Sequence, residues 1–83
     1  MKITAQFIAD SKDAWGRLSP RLRQIARLIA SGLTYSEAAE EIGISPVTAN
    51  RHVGLIKLKC RCRRSEIGIM TLAALGLLTE GEL

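Results

Sequence analysis

Asn50 and Arg51 stand side by side within two turns of Ser45-Pro46, in a segment whose apolar residues recur at helical spacing. An amide presents a donor and an acceptor, and a guanidinium presents parallel donors. The chemistry they suit is paired hydrogen bonding to a base edge, Asn with adenine and Arg with guanine. Val47 shares their outward side and completes the candidate base contacts. Ser45 and Thr48 sit where the first N–H groups of a helix have no partner, a setting that holds a phosphate. Tyr35 and Ser36 occupy the same kind of position at the start of the preceding helix. Lys57, Lys59, Arg61, Arg63 and Arg64 follow as cations that attract a phosphate backbone without reading sequence.

Four helices are needed to position these groups. Ser19 caps a first helix with Pro20 at its first position, where a missing N–H costs nothing. Leu22, Ile25, Ala26, Leu28 and Ile29 continue it to about Ser31, and Gly32 stops it. Thr34 and Glu37 have the spacing of a reciprocal capping box, opening a second helix with a small face of Ala38, Ala39 and Ile42. Gly43 supplies the tight turn, and Ser45-Pro46 opens the third helix, running to about Cys60. Ala49, Val53, Ile56 and Cys60 are its expected inward positions, leaving Val47, Asn50, Arg51, Gly54 and Lys57 outward.

Ser65-Glu66 is expected to cap a fourth helix through about Leu75, ended by Gly76, with Ile67, Met70, Ala74 and Leu75 as its apolar stripe. Ile69, Leu72 and Ala73 make its other faces apolar too, so this helix is also assigned to a subunit contact through Ile67, Met70, Ala74 and Leu75. Residues Met1 to Arg17 show weak periodicity, with a polar break at Asp10-Ser11-Lys12-Asp13, and read as an arm or short helix. The expected division is therefore 1–17 arm or short helix, 18–78 helical domain and 79–83 tail, in an all-α fold.

Composition limits the function classes. Eighty-three residues fit one domain, and twelve Lys and Arg against eight Asp and Glu leave a net charge of +4. The distribution says more than the total, because no acid occurs between Ile42 and Ser65, nor among the residues around Arg17, Arg21, Arg23 and Arg27. Clustered cations release counterions from nucleic acid, whereas an isolated run is ordinarily a solvated face. Cys60 and Cys62, two apart on a helix, point in different directions and imply no disulfide. With His52 they make only three zinc-type ligands at no standard spacing, so no metal and no cofactor are expected. His52 has no acid or nucleophile partner and there is no glycine-rich phosphate loop, so an enzyme is not expected. Trp15 and Phe7 are expected to cover the bundle and not to stack on bases. Met1 to Asp13 lacks an apolar core followed by a small-residue cleavage site and does not resemble a signal peptide, and the uncharged stretch from Ile67 to Thr79 is too short to span a bilayer. A cytoplasmic setting is expected.

Two capped helices around a glycine turn, the second carrying Asn and Arg near its start, describe a helix-turn-helix. The chain resembles the LuxR-type (GerE-like) helix-turn-helix domain of bacterial transcription regulators. The resemblance rests on Leu18-Ser19-Pro20-Arg21, Leu28-Ile29-Ala30-Ser31-Gly32-Leu33-Thr34, Glu37-Ala38-Ala39-Glu40-Glu41-Ile42-Gly43-Ile44-Ser45, Thr48, His52, Ile56 and Leu75-Gly76-Leu77-Leu78. It implies a four-helix domain that binds double-stranded operator DNA, often as a dimer through its fourth helix, in a bacterial or phage regulator. Asn50, Arg51 and Gly54 then stand where the family commonly faces bases, and glycine supplies no side chain. Other departures are Leu22 and Gln24 at usual Glu positions, Arg61 at a usual glycine turn, and Cys60 and Cys62 at apolar positions. Leu55 and Leu58 replace commonly polar residues, which motivates an alternative function: a protein-interaction module that binds and titrates another regulator or RNA polymerase. The family domain usually follows a receiver or ligand-sensing domain. None occurs in these residues, so the expectation is a stand-alone regulator or one controlled by a separate partner. Gly32-Leu33-Thr34-Tyr35-Ser36-Glu37 is also similar to the promoter-reading region of sigma factors, but the spacing from Leu18 to Gly32 and the Gly76-Leu77-Leu78 ending fit the LuxR-type pattern better.

Overall fold

The computed structural model describes residues 1–82, so Leu83, the last residue of the expected tail, lies outside the described residues. Five helices follow a two-residue strand β1 (Lys2–Ile3): α1 (Ala5–Gly16), α2 (Pro20–Ala30), α3 (Tyr35–Ile42), α4 (Pro46–Cys60) and α5 (Ile67–Ala74). A 3-10 turn at Arg64–Glu66 leads into α5, and β2 (Gly81–Glu82) pairs antiparallel with β1, matching Lys2 to Glu82 and Ile3 to Gly81. The architecture is all-α, and the four helices read from the sequence are α2 to α5.

The caps expected on α2, α3 and α4 form. The Ser19 hydroxyl accepts from the Leu22 N–H at 3.3 Å ahead of Pro20. Thr34 and Glu37 complete the reciprocal box, with bonds of 2.9 and 3.2 Å. The Ser45 hydroxyl accepts from the Thr48 N–H at 3.1 Å. Four helices also end alike: the N–H groups of Leu33, Ile44, Cys62 and Leu77 donate to the carbonyls of Leu28, Ala39, Lys57 and Leu72. Such an ending needs a left-handed residue just before the donor. Gly32, Gly43 and Gly76 fill that place, and at α4 it is Arg61, with φ 52° and ψ 44°. At α4 the left-handed turn is thus made by a residue whose Cβ disfavours it.

The core is one cluster to which every helix beyond α3 contributes, joined by α1 and α2: Ala14, Leu18, Leu22, Ile25, Ala26, Val53, Ile56, Ile67 and Met70. Ile25, Val53, Ile56 and Ile67 are fully sequestered. Each such side chain contributes roughly 1.5–3 kcal/mol by leaving water. Ala38 and Ala39 are also buried, and the small face of α3 lets α4 pack closely against it.

Three expectations are corrected. The polar stretch Asp10 to Asp13 does not interrupt the N-terminal segment, because α1 runs through it. Ser11 is buried there, its hydroxyl donating to the Phe7 carbonyl at 2.8 Å, so a serine takes a place on the inward stripe. Ser65 does not cap α5; instead the Glu66 carboxylate accepts from the Arg63 N–H at 2.8 Å and shapes the 3-10 turn. On α5 the inward residues are Ile67, Met70, Thr71 and Ala73, while Ala74 is half-buried and Leu75 exposed. The reason is orientation. Two helices, α1 and α2, pack on α5 and rotate its buried face toward Thr71, whose hydroxyl is satisfied by the Ile67 carbonyl at 2.7 Å. Ile67 and Met70, assigned to a subunit contact, are therefore spent inside the protomer.

Candidate nucleic-acid interface

The turn between α3 and α4 fixes the geometry of the site. Gly43, with φ 75°, allows the chain to leave α3 and enter α4 within three residues. Ala49, Val53 and Ile56 then anchor α4 inward, and spacing alone places Val47, Arg51, Gly54 and Leu58 on the opposite strip. Val47, Asn50, Arg51 and Gly54 are all exposed, Val47 at 72%. Gly54 leaves a gap midway along that strip, with open space around its α-carbon.

At the start of α4, Ser45 and Thr48 are tied to one another. Besides capping, the Ser45 hydroxyl donates to Thr48 Oγ1 at 2.9 Å. The Thr48 hydroxyl proton and the Val47 N–H remain as donors, since Pro46 has no N–H and the Thr48 and Ala49 amides already donate to Ser45; donors at a helix start favour an anion. At the start of α3, Ser36 is exposed and Tyr35 half-buried. Glu37 is held below its ordinary value because its carboxylate accepts from the Thr34 backbone N–H and pairs with the Thr34 side chain.

The structure gathers three of the candidate residues and separates others. Arg64 lies over the Tyr35 ring, 4.9 Å from its centroid, and donates from Nη2 to the Asn50 side-chain oxygen. Tyr35, Asn50 and Arg64 thus form one cluster where α3, α4 and the turn after α4 converge. Lys57 is exposed on the Asn50 side of α4 by helical spacing. Lys59 and Arg61 stand at the far end of α4, where the Arg17 guanidinium donates to the Lys59 carbonyl at 3.4 Å. Arg61 lines a cleft of about 430 Å³ with Phe7, Asp10 and Arg17. Arg63 is exposed beside the 3-10 turn. Nothing in the sequence pattern linked Asn50 with Arg64, which are fourteen residues apart and meet only because the chain reverses at Arg61.

The second acid-free run has different surroundings. Arg23 and Arg27 lie over the Trp15 ring at 5.7 and 5.3 Å, and Arg23 Nε donates to the Trp15 carbonyl at 3.1 Å. His52 is half-buried, and its Nδ1 is enclosed without a hydrogen-bond partner. Cys60 and Cys62 are free thiols. Burial raises the pKa of Cys60, and burial, the neighbouring Cys60 and Glu66 push Cys62 up to about 11. Both are therefore protonated and weakly nucleophilic at neutral pH. Among the described residues, no group of three or more His, Cys, Asp or Glu side chains is placed to hold a metal ion. No helix among them is long and apolar enough to cross a membrane.

The chain is similar to known proteins over the stretch that carries these residues. The model of the GerE family, bacterial regulatory proteins of the luxR family, matches residues 16–66, from the end of α1 through the 3-10 turn. Helix α5 lies beyond the matched stretch. The two-component response regulator PprB of Pseudomonas aeruginosa is 37% identical over 49 residues, which is 59% of this chain and 18% of that protein. The chain thus aligns with less than a fifth of that relative's length. No solved structure matches.

Proposed function

The chain belongs to the luxR family of bacterial regulatory proteins, a family of DNA-binding regulatory domains and not of enzymes, and from that membership we propose that it reads a specific operator through α4. The observation that carries this reading is the outward strip of α4. It presents Val47 and Arg51 to solvent with Asn50 on its flank, while Ala49, Val53 and Ile56 hold the opposite side in the core. An exposed helix anchored in this way fits the major groove. Asn50, Arg51 and Val47 are assigned to base edges. Ser45, Thr48, Tyr35, Ser36, Lys57 and Arg63 are assigned to phosphates. Arg64 joins them through the cluster it forms with Tyr35 and Asn50. Lys59 and Arg61 act at longer range from the far end of the helix.

The DNA-binding unit is assigned to residues 18–78, with α1 as a brace on α4 and α5, and the setting to the cytoplasm. A homodimer is proposed through what α5 leaves open. With Ile67 and Met70 buried, that surface is Ala74 and Leu75, together with the half-buried Ile69 and Leu72 and the exposed Leu77.

The test is a binding titration over salt and sequence. Arg51→Ala costs about 1–3 kcal/mol on the preferred site and relaxes specificity there. An equal loss on random DNA would remove the base-reading role.

A second reading rests on Leu58, 74% exposed, and Leu55, 39% exposed, which put apolar surface on the same helix as Arg51. Such a face suits binding and titrating another regulator or RNA polymerase. Absence of salt-dependent DNA binding, together with a defined heterocomplex, would favour it.

A further inference from the structure

Arg64 changes what Asn50 can read. An unencumbered asparagine recognises adenine because its oxygen accepts from the N6 amino group while its NH2 donates to N7. Here the Asn50 oxygen is engaged by Arg64. A guanidinium has donors only, so the amide atom facing it must be the oxygen. The two N–H bonds of Asn50 are the part left free.

The clamp is held from three sides. The Tyr35 ring supports one face of the guanidinium at 4.9 Å, an attraction between a cation and a π-system. The 3-10 turn that carries Arg64 is fastened by the Arg63 N–H to the Glu66 carboxylate at 2.8 Å. The left-handed Arg61 reverses the chain so that this turn folds back along α4. Arg64, although exposed, is thus brought to Asn50 by the course of the chain and the Tyr35 ring.

From these contacts we infer that Arg64 is a specificity-determining residue that turns Asn50 from an adenine reader into a guanine reader. The inference rests on the DNA-binding reading of α4. The Asn50 oxygen keeps a second lone pair, but the guanidinium beside it puts positive charge where the adenine amino group would have to approach. Guanine presents N7 and O6, two acceptors, to the same place. Arg51 next door and the remaining N–H groups of Arg64 are donors as well. Even Thr48 Oγ1 already accepts from Ser45, leaving its proton to donate. The reading end of α4 thus presents donors, and the edge that complements donors is guanine's.

The alternative role for Arg64, a plain phosphate contact, makes a different prediction. Such a contact contributes equally to every sequence and adds about one unit to the salt slope. The experiment selects bound duplexes from a randomised pool with the full chain, then titrates the selected duplex and its single-base variants. The base pair read by Asn50 is the one whose preference disappears in Asn50→Ala. There the wild type prefers guanine over adenine by roughly ten-fold, within the range of one bidentate pair. Arg64→Gln removes or reverses that preference, and Arg64→Lys retains much of it. Far-UV dichroism and a thermal transition establish that the variants are folded. If Arg64→Gln does not fold, the wild-type preference at the Asn50-dependent pair and the Arg64→Lys profile decide. Selection of adenine by the wild type, or a sequence-independent loss in Arg64→Gln, would overturn the inference. If the wild type binds no duplex in a salt-dependent manner, it is the DNA-binding reading itself that fails.

Discussion

Two acid-free runs of arginine and lysine, alike in the sequence, do different work in the fold. In the run from Arg17 to Arg27, three arginines are directed at the protein's own groups. Arg23 and Arg27 cover Trp15, and Arg17 reaches the Lys59 carbonyl at the end of α4. That last contact places positive charge against the negative end of a helix dipole. In the run from Arg51 to Arg64, Arg51, Lys57 and Arg63 stand exposed on or after the helix that the turn at Gly43 projects outward. Density of positive charge therefore does not identify an interface. What separates the two runs is where the cations are held: the first covers Trp15 and the end of α4, whereas the second lies along and behind the outward side of α4, where even Arg64, stacked on the Tyr35 ring, is held against Asn50.

The largest effect that would break this comparison is at Trp15. The ring packs against the core cluster and carries two guanidinium groups, so Trp15→Ala is expected to cost about 2–4 kcal/mol of stability, somewhat less than a fully buried aromatic. Chemical denaturation measures it. DNA affinity, read where the variant remains folded, should stay within a factor of about two. A large loss of affinity would mean that the first run belongs to the interface after all.

A smaller effect separates charge from backbone at Arg61. This residue belongs to the second run by position, but it sits at the far end of α4 in a left-handed conformation. Arg61→Gly keeps the turn and relieves the Cβ, and the expected gain is about 1 kcal/mol. For a domain of this size that raises the midpoint of thermal unfolding by roughly 4–8 °C. Affinity for DNA should fall only slightly.

The smallest effect concerns an acid spent locally, as Arg23 is. The Glu37 pKa is lowered in the folded state, so its contribution to the α3 cap is present above the ordinary value of 4.5 and is lost as pH falls through the lowered one. Thermal stability of Glu37→Gln should therefore converge with that of the wild type in acid. A gap of constant size from neutral pH to pH 3 would show that the carboxylate charge is not what caps the helix.

Much of this was legible in advance because it is local. Ser19-Pro20, Thr34 with Glu37, Gly43 and Ser45-Pro46 set the ends of α2, α3 and α4 through hydrogen bonds spanning three residues, and those bonds form as the spacing implied. What stayed hidden was non-local or atypical in residue type. Ser11 conceals the inward stripe of α1 because a hydroxyl bonded to its own helix can be buried like an alanine. The pairing of Ile3 with Gly81 leaves no local trace, since two residues at each end of the chain carry no periodicity. The buried face of α5 is set by α1 and α2, not by α5's nearly uniform apolar sequence. At the candidate interface, residue types pointed to Asn50 and Arg51, whereas the link from Asn50 to Arg64 depends on a chain reversal held by a single left-handed arginine.

The most direct measurement of the central claim is the salt dependence of binding to the selected duplex, compared for neutralised pairs from the two runs. The slope of log affinity against log salt counts the phosphate contacts released. Lys57→Gln with Arg63→Gln should lower that slope by roughly one to two units, while Arg23→Gln with Arg27→Gln leaves it unchanged at a temperature where the protein is folded. A lower slope for the Arg23 and Arg27 pair, with no change for the Lys57 and Arg63 pair, would contradict the assignment of α4 to DNA.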